Sequence, residues 1–443
     1  MAKKKQVLFE CQACGNRQIK FLGKCPECGV FNSFLELNEE QINHLKNEDK
    51  KINKEEALSI CDIQIETIDK FTSFDNELDL VLGGGIVKGS LILLGGSPGV
   101  GKSTLLLKIA ANLAKNNKKV LYVSAEESKS QIKIRANRLN ANEKNLFLLT
   151  ELCFENIKDE LIKNQYDLLI IDSIQTIYSE NINSCAGSIT QVRELTFELM
   201  KISKSKNIST FVIGHITKEG SIAGPRVLEH MVDVVLYFEG DTGKELRILR
   251  GFKNRFGSTS EIGIWQMSEN GLIAASKSKF LNRNKKQAGT ALTIIMEGSR
   301  AITLEVQALV CESSYPKRSA TGFDRNRLDM ILALLEKKLE IPLRNYDVFI
   351  NISGGIKVNE TGADLAVAAA IISSFKNRIL SSESVFIGEL SLNGNICEIY
   401  NLDIRLNEAK NQAFKNAIIP NQTNFKGIKC FIAKELSQVL EWM

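Results

Sequence analysis

Between Gly95 and Thr104 the chain reads Gly-Gly-Ser-Pro-Gly-Val-Gly-Lys-Ser-Thr, and Gly96 to Ser103 fits the phosphate-cradling pattern G-x-x-x-x-G-K-[ST]. Glycines let successive backbone N–H groups wrap a polyphosphate, and a helix starting at the loop adds the positive end of its dipole. Gly96, Ser97, Pro98, Gly99, Val100, Gly101, Lys102, Ser103 and Thr104 are therefore the nucleotide-binding candidates. Lys102 would reach the β- and γ-phosphates of ATP, and Ser103 would ligand Mg²⁺. A second chemistry sits near the N-terminus. Cys11-x2-Cys14-x10-Cys25-x2-Cys28 supplies two CxxC knuckles, enough thiolates for one tetrahedral Zn²⁺. A reactive-thiol role fits less well, because two knuckles read as ligand pairs.

Acidic residues complete the set. Lys119-Val120-Leu121-Tyr122-Val123-Ser124 runs into Ala125-Glu126-Glu127-Ser128. An acid at the carboxyl end of a strand beside a phosphate loop lies where such sheets bind ligands. Glu126 is the candidate for polarising the attacking water; a helix N-cap cluster suits Glu127 and Ser128 better. Tyr166-Asp167-Leu168-Leu169-Ile170-Ile171-Asp172-Ser173 is an apolar strand closing on an acid, so Asp172 would hold Mg²⁺ through water. Thr210-Phe211-Val212-Ile213-Gly214-His215 ends in a polar residue. His215 is a candidate sensor of the γ-phosphate, with an ordinary core histidine as the alternative. The glycine-rich segment Thr217 to Arg226 brings Lys218 and Arg226 between two strands. It reads as a loop for a phosphate backbone or as a plain surface loop.

These groups need a scaffold. Ser90-Leu91-Ile92-Leu93-Leu94 before the phosphate loop reads as a buried strand, and Leu105 to Ala110 after it as a helix. Strand and helix patterns alternate from about residue 62 to 280, which predicts an α/β fold with a mostly parallel sheet and helices on both faces. Further strands are expected at Met231–Phe238 and Glu245–Arg250, leading to Lys253-Asn254-Arg255-Phe256-Gly257. The finger would lack a core of its own and be held folded by metal. Residues 38–57, rich in Lys, Glu and Asn, read as a solvated linker, with His44 in it an ordinary exposed side chain.

The whole chain has 443 residues, 44% of them hydrophobic and 25% charged. Those are values of a soluble globular protein of two or three domains. A net charge of +5 permits nucleic-acid binding without demanding it. No apolar run is long enough to span a bilayer, and no apolar region follows Lys3-Lys4-Lys5, so neither a membrane span nor a signal peptide is expected. Ten cysteines in a chain of this kind suggest metal binding or reduced thiols.

Taken together, the four-cysteine finger, the phosphate loop, Gly214-His215-x-Thr217-Lys218-Glu219-Gly220 and Lys253-Asn254-Arg255-Phe256-Gly257 resemble the RadA (Sms) family of bacterial DNA repair proteins over essentially the full length. The resemblance implies a RecA-type ATPase core, ATP, Mg²⁺ and Zn²⁺ as cofactors, and a cytoplasmic, nucleoid-associated place of action. The last motif is similar to the hairpin by which DnaB-type helicases present lysine and arginine to a neighbour's γ-phosphate. That similarity implies a closed hexameric ring with Lys253 and Arg255 acting in trans. Lys253 and Arg255 are two residues apart, so on a strand both would point one way.

From about Gly289 onward the chain resembles the proteolytic domain of Lon. The matching stretches are Val348–Gly355, Ala363–Ala366 and Phe386–Gly394. By that similarity the nucleophilic serine falls on Gly362 and the activating lysine on Arg405. Glycine offers no nucleophile and arginine no base, so this domain is expected to be proteolytically dead and to serve oligomerisation and DNA binding. Arg300, Arg318, Arg325, Arg327 and Lys357 are its candidates to face DNA or, equally, mere solvent. Departures from the family pattern are Phe21 and Phe31 in place of tryptophans, Ala125 in place of glycine, and Thr361-Gly362 in place of Pro-Ala. The expected division is a zinc finger at 1–37, a linker at 38–61, the ATPase domain at 62–282 and the Lon-like domain at 283–443. The resulting expectation is a DNA-dependent, helicase-like ATPase that migrates branches and extends heteroduplex made by RecA, on single-stranded and branched DNA. Rival readings are an ATP-dependent protease, opposed by Gly362 and Arg405, and a nucleotide-gated scaffold, opposed by Glu126 with Arg255.

Overall fold

The computed structural model describes residues 9–37, 59, 69–215, 227–240, 245–269, 271–275 and 287–442. Residues 38–58 of the linker, with His44, lie outside the described residues, and so do Thr217 to Arg226, with Lys218 and Arg226.

The finger is a small antiparallel sheet of β1 (Phe9–Cys11), β2 (Arg17–Gln18) and β3 (Phe34–Glu36). Its apolar interior is little more than Cys11, Cys25 and Phe34, so the cysteines stand where a larger domain would have a core. It touches the next domain through Thr190, whose hydroxyl donates to the Gln12 carbonyl at 3.1 Å.

The central domain opens with β4 (Lys70–Phe71), α1 (Asn76–Val81) and β5 (Ile86–Val87). Then follow β6 (Leu91–Gly96), α2 (Lys102–Lys115), β7 (Val120–Ser124), α3 (Lys129–Arg138), β8 (Leu146–Thr150), α4 (Phe154–Lys163) and β9 (Leu168–Asp172). The series closes with α5 (Ile189–Lys206), β10 (Ser209–His215), α6 (Val227–Met231), β11 (Val234–Glu239), β12 (Leu246–Asn254), β13 (Ile262–Ser268) and β14 (Gly271–Ala274). One sheet runs in the order β14-β13-β12-β11-β6-β10-β9-β7-β8. From β11 to β8 its neighbours are parallel, while β12, β13 and β14 extend it antiparallel.

Period-two alternation sorts β6 between two cores. Ile92 and Leu94 pack with α1, α2 and α3, whereas Leu91 and Leu93 pack with α4, α5 and Leu228 of α6. With both faces covered, the parallel strands are continuous apolar runs, as such sheets require.

The C-terminal part contains β15 (Thr290–Glu297), β16 (Arg300–Glu312), β17 (Arg318–Thr321), α7 (Arg325–Leu339), β18 (Tyr346–Ile352) and α8 (Asp364–Lys376). It continues with β19 (Ser384–Phe386), the pair β20 (Glu389–Leu390) and β21 (Ile396–Cys397), α9 (Leu402–Asn411), β22 (Asn416–Ile419) and β23 (Lys429–Ile432). A sheet ordered β15-β16-β18-β17 and a parallel sheet ordered β19-β22-β23 pack around the buried α8. Ile262 and Ile264 of β13 belong to this core too, so the two domains share apolar surface. Among the described residues, no helix is long and apolar enough to cross a membrane.

Candidate active site

The phosphate loop is the link from β6 to α2. A Cβ on Gly96 would meet the Phe238 carbonyl oxygen at 2.5 Å, so the neighbouring β11 admits only glycine there. Gly101 takes φ +111° at the start of α2, a region costly for other residues. Lys102 is buried, and its Nζ donates to the Gly96 carbonyl at 2.7 Å and the Ser97 carbonyl at 3.1 Å. Burial pushes its pKa down, and the charges of Asp172 and Glu126 push it back up. From behind, the buried Arg247 of β12 donates through Nε to the Val100 carbonyl at 2.8 Å.

The acids arrive on neighbouring strands. β7 pairs with β9 in parallel, with Ser124 level with Asp172. Asp172 is buried, accepts from the Tyr122 hydroxyl at 2.5 Å and is hydrogen-bonded by Ser103. Burial raises its pKa, and those two hydrogen bonds draw it back down. Glu126, just past β7, accepts from the Ser173 hydroxyl at 2.6 Å. Glu127 turns away to an ion pair with Arg135, while Ser128 caps α3 in a capping box with Gln131. Of the two adjacent acids, Glu126 is thus the one on the Asp172 side, and Glu127 serves the local helix. The backbone of His215 sits level with Gly96 on the adjacent strand.

The four finger cysteines also converge. Their sulfurs lie within 4.8 Å of one another, with Cys11–Cys28 at 3.6 Å and Cys14–Cys25 at 3.5 Å. Tetrahedral Zn–S bonds of about 2.3 Å put sulfurs about 3.8 Å apart, so the cluster fits Zn²⁺.

Three family models match the chain: an AAA domain over residues 58–221, a rubredoxin metal-binding domain over 9–36 and the ChlI subunit of Mg-chelatase over 318–423. At full length, the chain is 69% identical over 447 residues to the DNA repair protein RadA of Campylobacter jejuni, covering 100% of both. RadA of Helicobacter pylori J99 is 57% identical, covering 99% of this chain and 100% of its own. RadA of Aquifex aeolicus is 44% identical, covering 99% of each. The chain belongs to the RadA family of DNA repair proteins.

The metal-binding domain with its four cysteines brings Zn²⁺ as a cofactor, and the AAA domain brings ATP and Mg²⁺. The Ser103 hydroxyl and the Asp172 carboxylate are hard oxygen donors, which suit Mg²⁺. Replacing Cys25 by serine is expected to release about one Zn²⁺ per chain and leave nucleotide binding intact. Metal analysis checks this, and full zinc retention in the variant would contradict it.

The segment Lys253-Asn254-Arg255-Phe256-Gly257 differs from its strand reading. β12 ends at Asn254, one residue short of Arg255, and its bulge falls at Phe252, ahead of Lys253. Lys253 turns back to α6, where its Nζ donates to the carbonyls of Glu229 at 2.9 Å, His230 at 3.1 Å and Val232 at 2.7 Å. Those carbonyls are the open end of a helix and need a donor. Arg255 is exposed. Glu261, the next acid along the chain, accepts from the Ser299 hydroxyl at 2.6 Å.

The Lon-like site is brought together but refilled. Arg405 is buried against Glu360, with Nη1–Oε1 at 2.5 Å and Nη2–Oε2 at 2.7 Å, and it also donates to the Ile294 carbonyl at 2.7 Å. A Cβ on Gly362 would lie 3.0 Å from Arg405 Nη1. The two positions are neighbours, and Arg405 is held there in an ion pair with Glu360.

Two of the five C-terminal cations expected to face DNA point inward. Arg327 pairs with the fully buried Asp364, a carboxylate that could not remain charged without a partner. Arg300 pairs with Glu77 and ties the C-terminal part to the ATPase domain. Arg325 and Lys357 are exposed. Arg318 and Arg325 line a cleft of about 560 Å³ with Lys317 and Phe349. Sequence reasoning passed over Tyr122 and Arg247. Both lie inside strands, where alternation marks them only as inward-facing.

Proposed function

We propose that the chain is an ATP-driven motor on DNA that processes branched recombination intermediates. The carrying observation is the convergence of Lys102, Asp172 and Glu126 at the carboxyl ends of β6, β9 and β7. A nucleotide-gated scaffold has no need of a water-polarising acid there. The loop N–H groups and Lys102 bind the phosphates, and Lys102 leaves its loop carbonyls to do so. Ser103 and Asp172 would hold Mg²⁺, which would supply charge neutralisation at the phosphates. Tyr122 fixes the carboxylate that faces it. Glu126 takes the proton of the attacking water, and Ser173 orients Glu126.

Arg255 then serves the site of the next subunit in a homo-hexameric ring, where negative charge builds on the transferred phosphoryl group. Lys253 joins it only by leaving the end of α6. His215 senses the γ-phosphate at the end of β10. On the DNA side, Lys218, Arg226, Arg318, Arg325 and Lys357 contact the phosphate backbone. Single-stranded and forked DNA are the substrates, DnaB-type translocation is the action, and RecA filaments are the partner in the bacterial cytoplasm. The protease reading is opposed by the Arg405–Glu360 pair beside Gly362.

ATP turnover measured with no DNA, with single strands and with forks tests the reading. Several-fold stimulation by DNA is expected, and a rate indifferent to DNA would contradict it.

A further inference from the structure

The turn that carries Arg255 is gripped from two sides by its own subunit. On one side the Arg255 backbone N–H donates to the carbonyl of Asp233 at 3.2 Å. Asp233 is itself buried and accepts from the Leu91 N–H at 3.1 Å at the start of β6. On the other side stands Lys70 of β4. Its Nζ donates to the Gly83 carbonyl at 2.8 Å and to the Phe256 carbonyl at 3.3 Å. One ammonium therefore bridges the turn after α1 and the turn after β12, with Lys70 and Phe256 186 residues apart in the chain.

The two turns touch through glycines. A Cβ on Gly257 would meet Gly83 Cα at 3.3 Å, and one on Gly83 would meet Gly257 Cα at 3.4 Å. Gly83 also takes φ +75°. Inside the clasp the Asn254 side chain accepts from the Phe256 N–H at 2.9 Å, an Asx turn that fixes the backbone on either side of Arg255. Phe256 packs on the apolar core of the α2 face. Arg255, between these fixed points, is the residue left exposed.

We infer that Lys70 is a positioning residue for Arg255: with Gly83 and Gly257 it holds the finger turn rigid so that the guanidinium projects toward a neighbour's phosphates. The inference rests on the trans reading of Arg255. A flexible arginine loses side-chain and backbone entropy when it docks, whereas one on a fixed turn has less to lose. Among the described residues Lys70 hydrogen-bonds Gly83 and Phe256, both outside the phosphate loop, so its effect belongs to the next subunit's site.

The test uses full-length protein and mixed assemblies. Lys70→Met is expected to bind ATP as the wild type does and to lower kcat about 10-fold or more, with KM little changed; Lys70→Arg restores most of the rate. Mixing separates positioning from general damage. Lys70→Met subunits keep intact phosphate loops, and Lys102→Ala subunits keep intact finger turns, so the mixture regains activity if Lys70 acts through the finger. Gly257→Ala pushes on the same clasp from the other side and should complement with Lys102→Ala in the same way, which keeps the test open if Lys70→Met folds poorly. The control mixture is Arg255→Ala with Lys102→Ala. If the control recovers and neither clasp variant does, Lys70 is not a positioning residue although the trans finger stands. If the control itself fails in confirmed mixed rings, the trans reading falls and this inference with it.

Discussion

Arg255→Ala protein is expected to bind ATP at wild-type affinity and to hydrolyse it on the order of 10³-fold more slowly. The size follows from where the charge acts. An arginine finger meets negative charge that develops only as the γ-phosphoryl group departs, so its removal raises the barrier by about 4 kcal/mol and leaves ground-state binding untouched. Arg255 is exposed beyond the end of β12, and its deletion disturbs no buried pair, so a folding defect is not expected. Arg255→Lys should remain slow, because an ammonium lacks the guanidinium's planar fork. Lys253→Ala should differ in kind. It removes the donor to three carbonyls at the end of α6 and should lower thermal stability as well as rate. Nucleotide binding measured beside single-turnover hydrolysis checks the first variant, and a normal single-turnover rate in Arg255→Ala would remove it from the chemistry.

Glu126→Gln is expected to trap ATP. The amide keeps the size of the side chain but accepts no proton, so hydrolysis should fall about 10²- to 10⁴-fold while binding persists. Glu127→Gln is the paired control. Its carboxylate is committed to Arg135 in a partly exposed ion pair, worth no more than about 1 kcal/mol of local stability, and its turnover should stay near normal. The reverse pattern, a silent Glu126→Gln and a dead Glu127→Gln, would reassign the base.

The architecture was legible where pattern and chemistry coincide. A glycine-rich loop between an apolar strand and a helix has few other uses, and β6 and α2 flank it at Gly96 and Lys102. The cysteine knuckles were legible for the same reason, since their spacing is already a ligand geometry. What stayed hidden depends on contacts between distant residues. Strand alternation aligns Lys253 with Arg255 only if the strand continues, and β12 ends at Asn254 while Lys253 is drawn to the end of α6. Arg327 reads as a surface cation until Asp364 is found buried beside it. Lys70 carries no motif, and only the folded chain brings it to Phe256. Arg247 looks like an ordinary strand residue until the Val100 carbonyl appears at its Nε.

The central claim is that ATP turnover at the Gly96–Thr104 loop does mechanical work on DNA. Strand displacement from a labelled forked duplex, followed with Mg²⁺-ATP for the wild type and for Lys102→Ala, tests it most directly. The account predicts displacement by the wild type that stops when ATP is replaced by a non-hydrolysable analogue, and none by Lys102→Ala. Equal displacement by Lys102→Ala, or a wild type that hydrolyses ATP on the fork and never separates its strands, would contradict it.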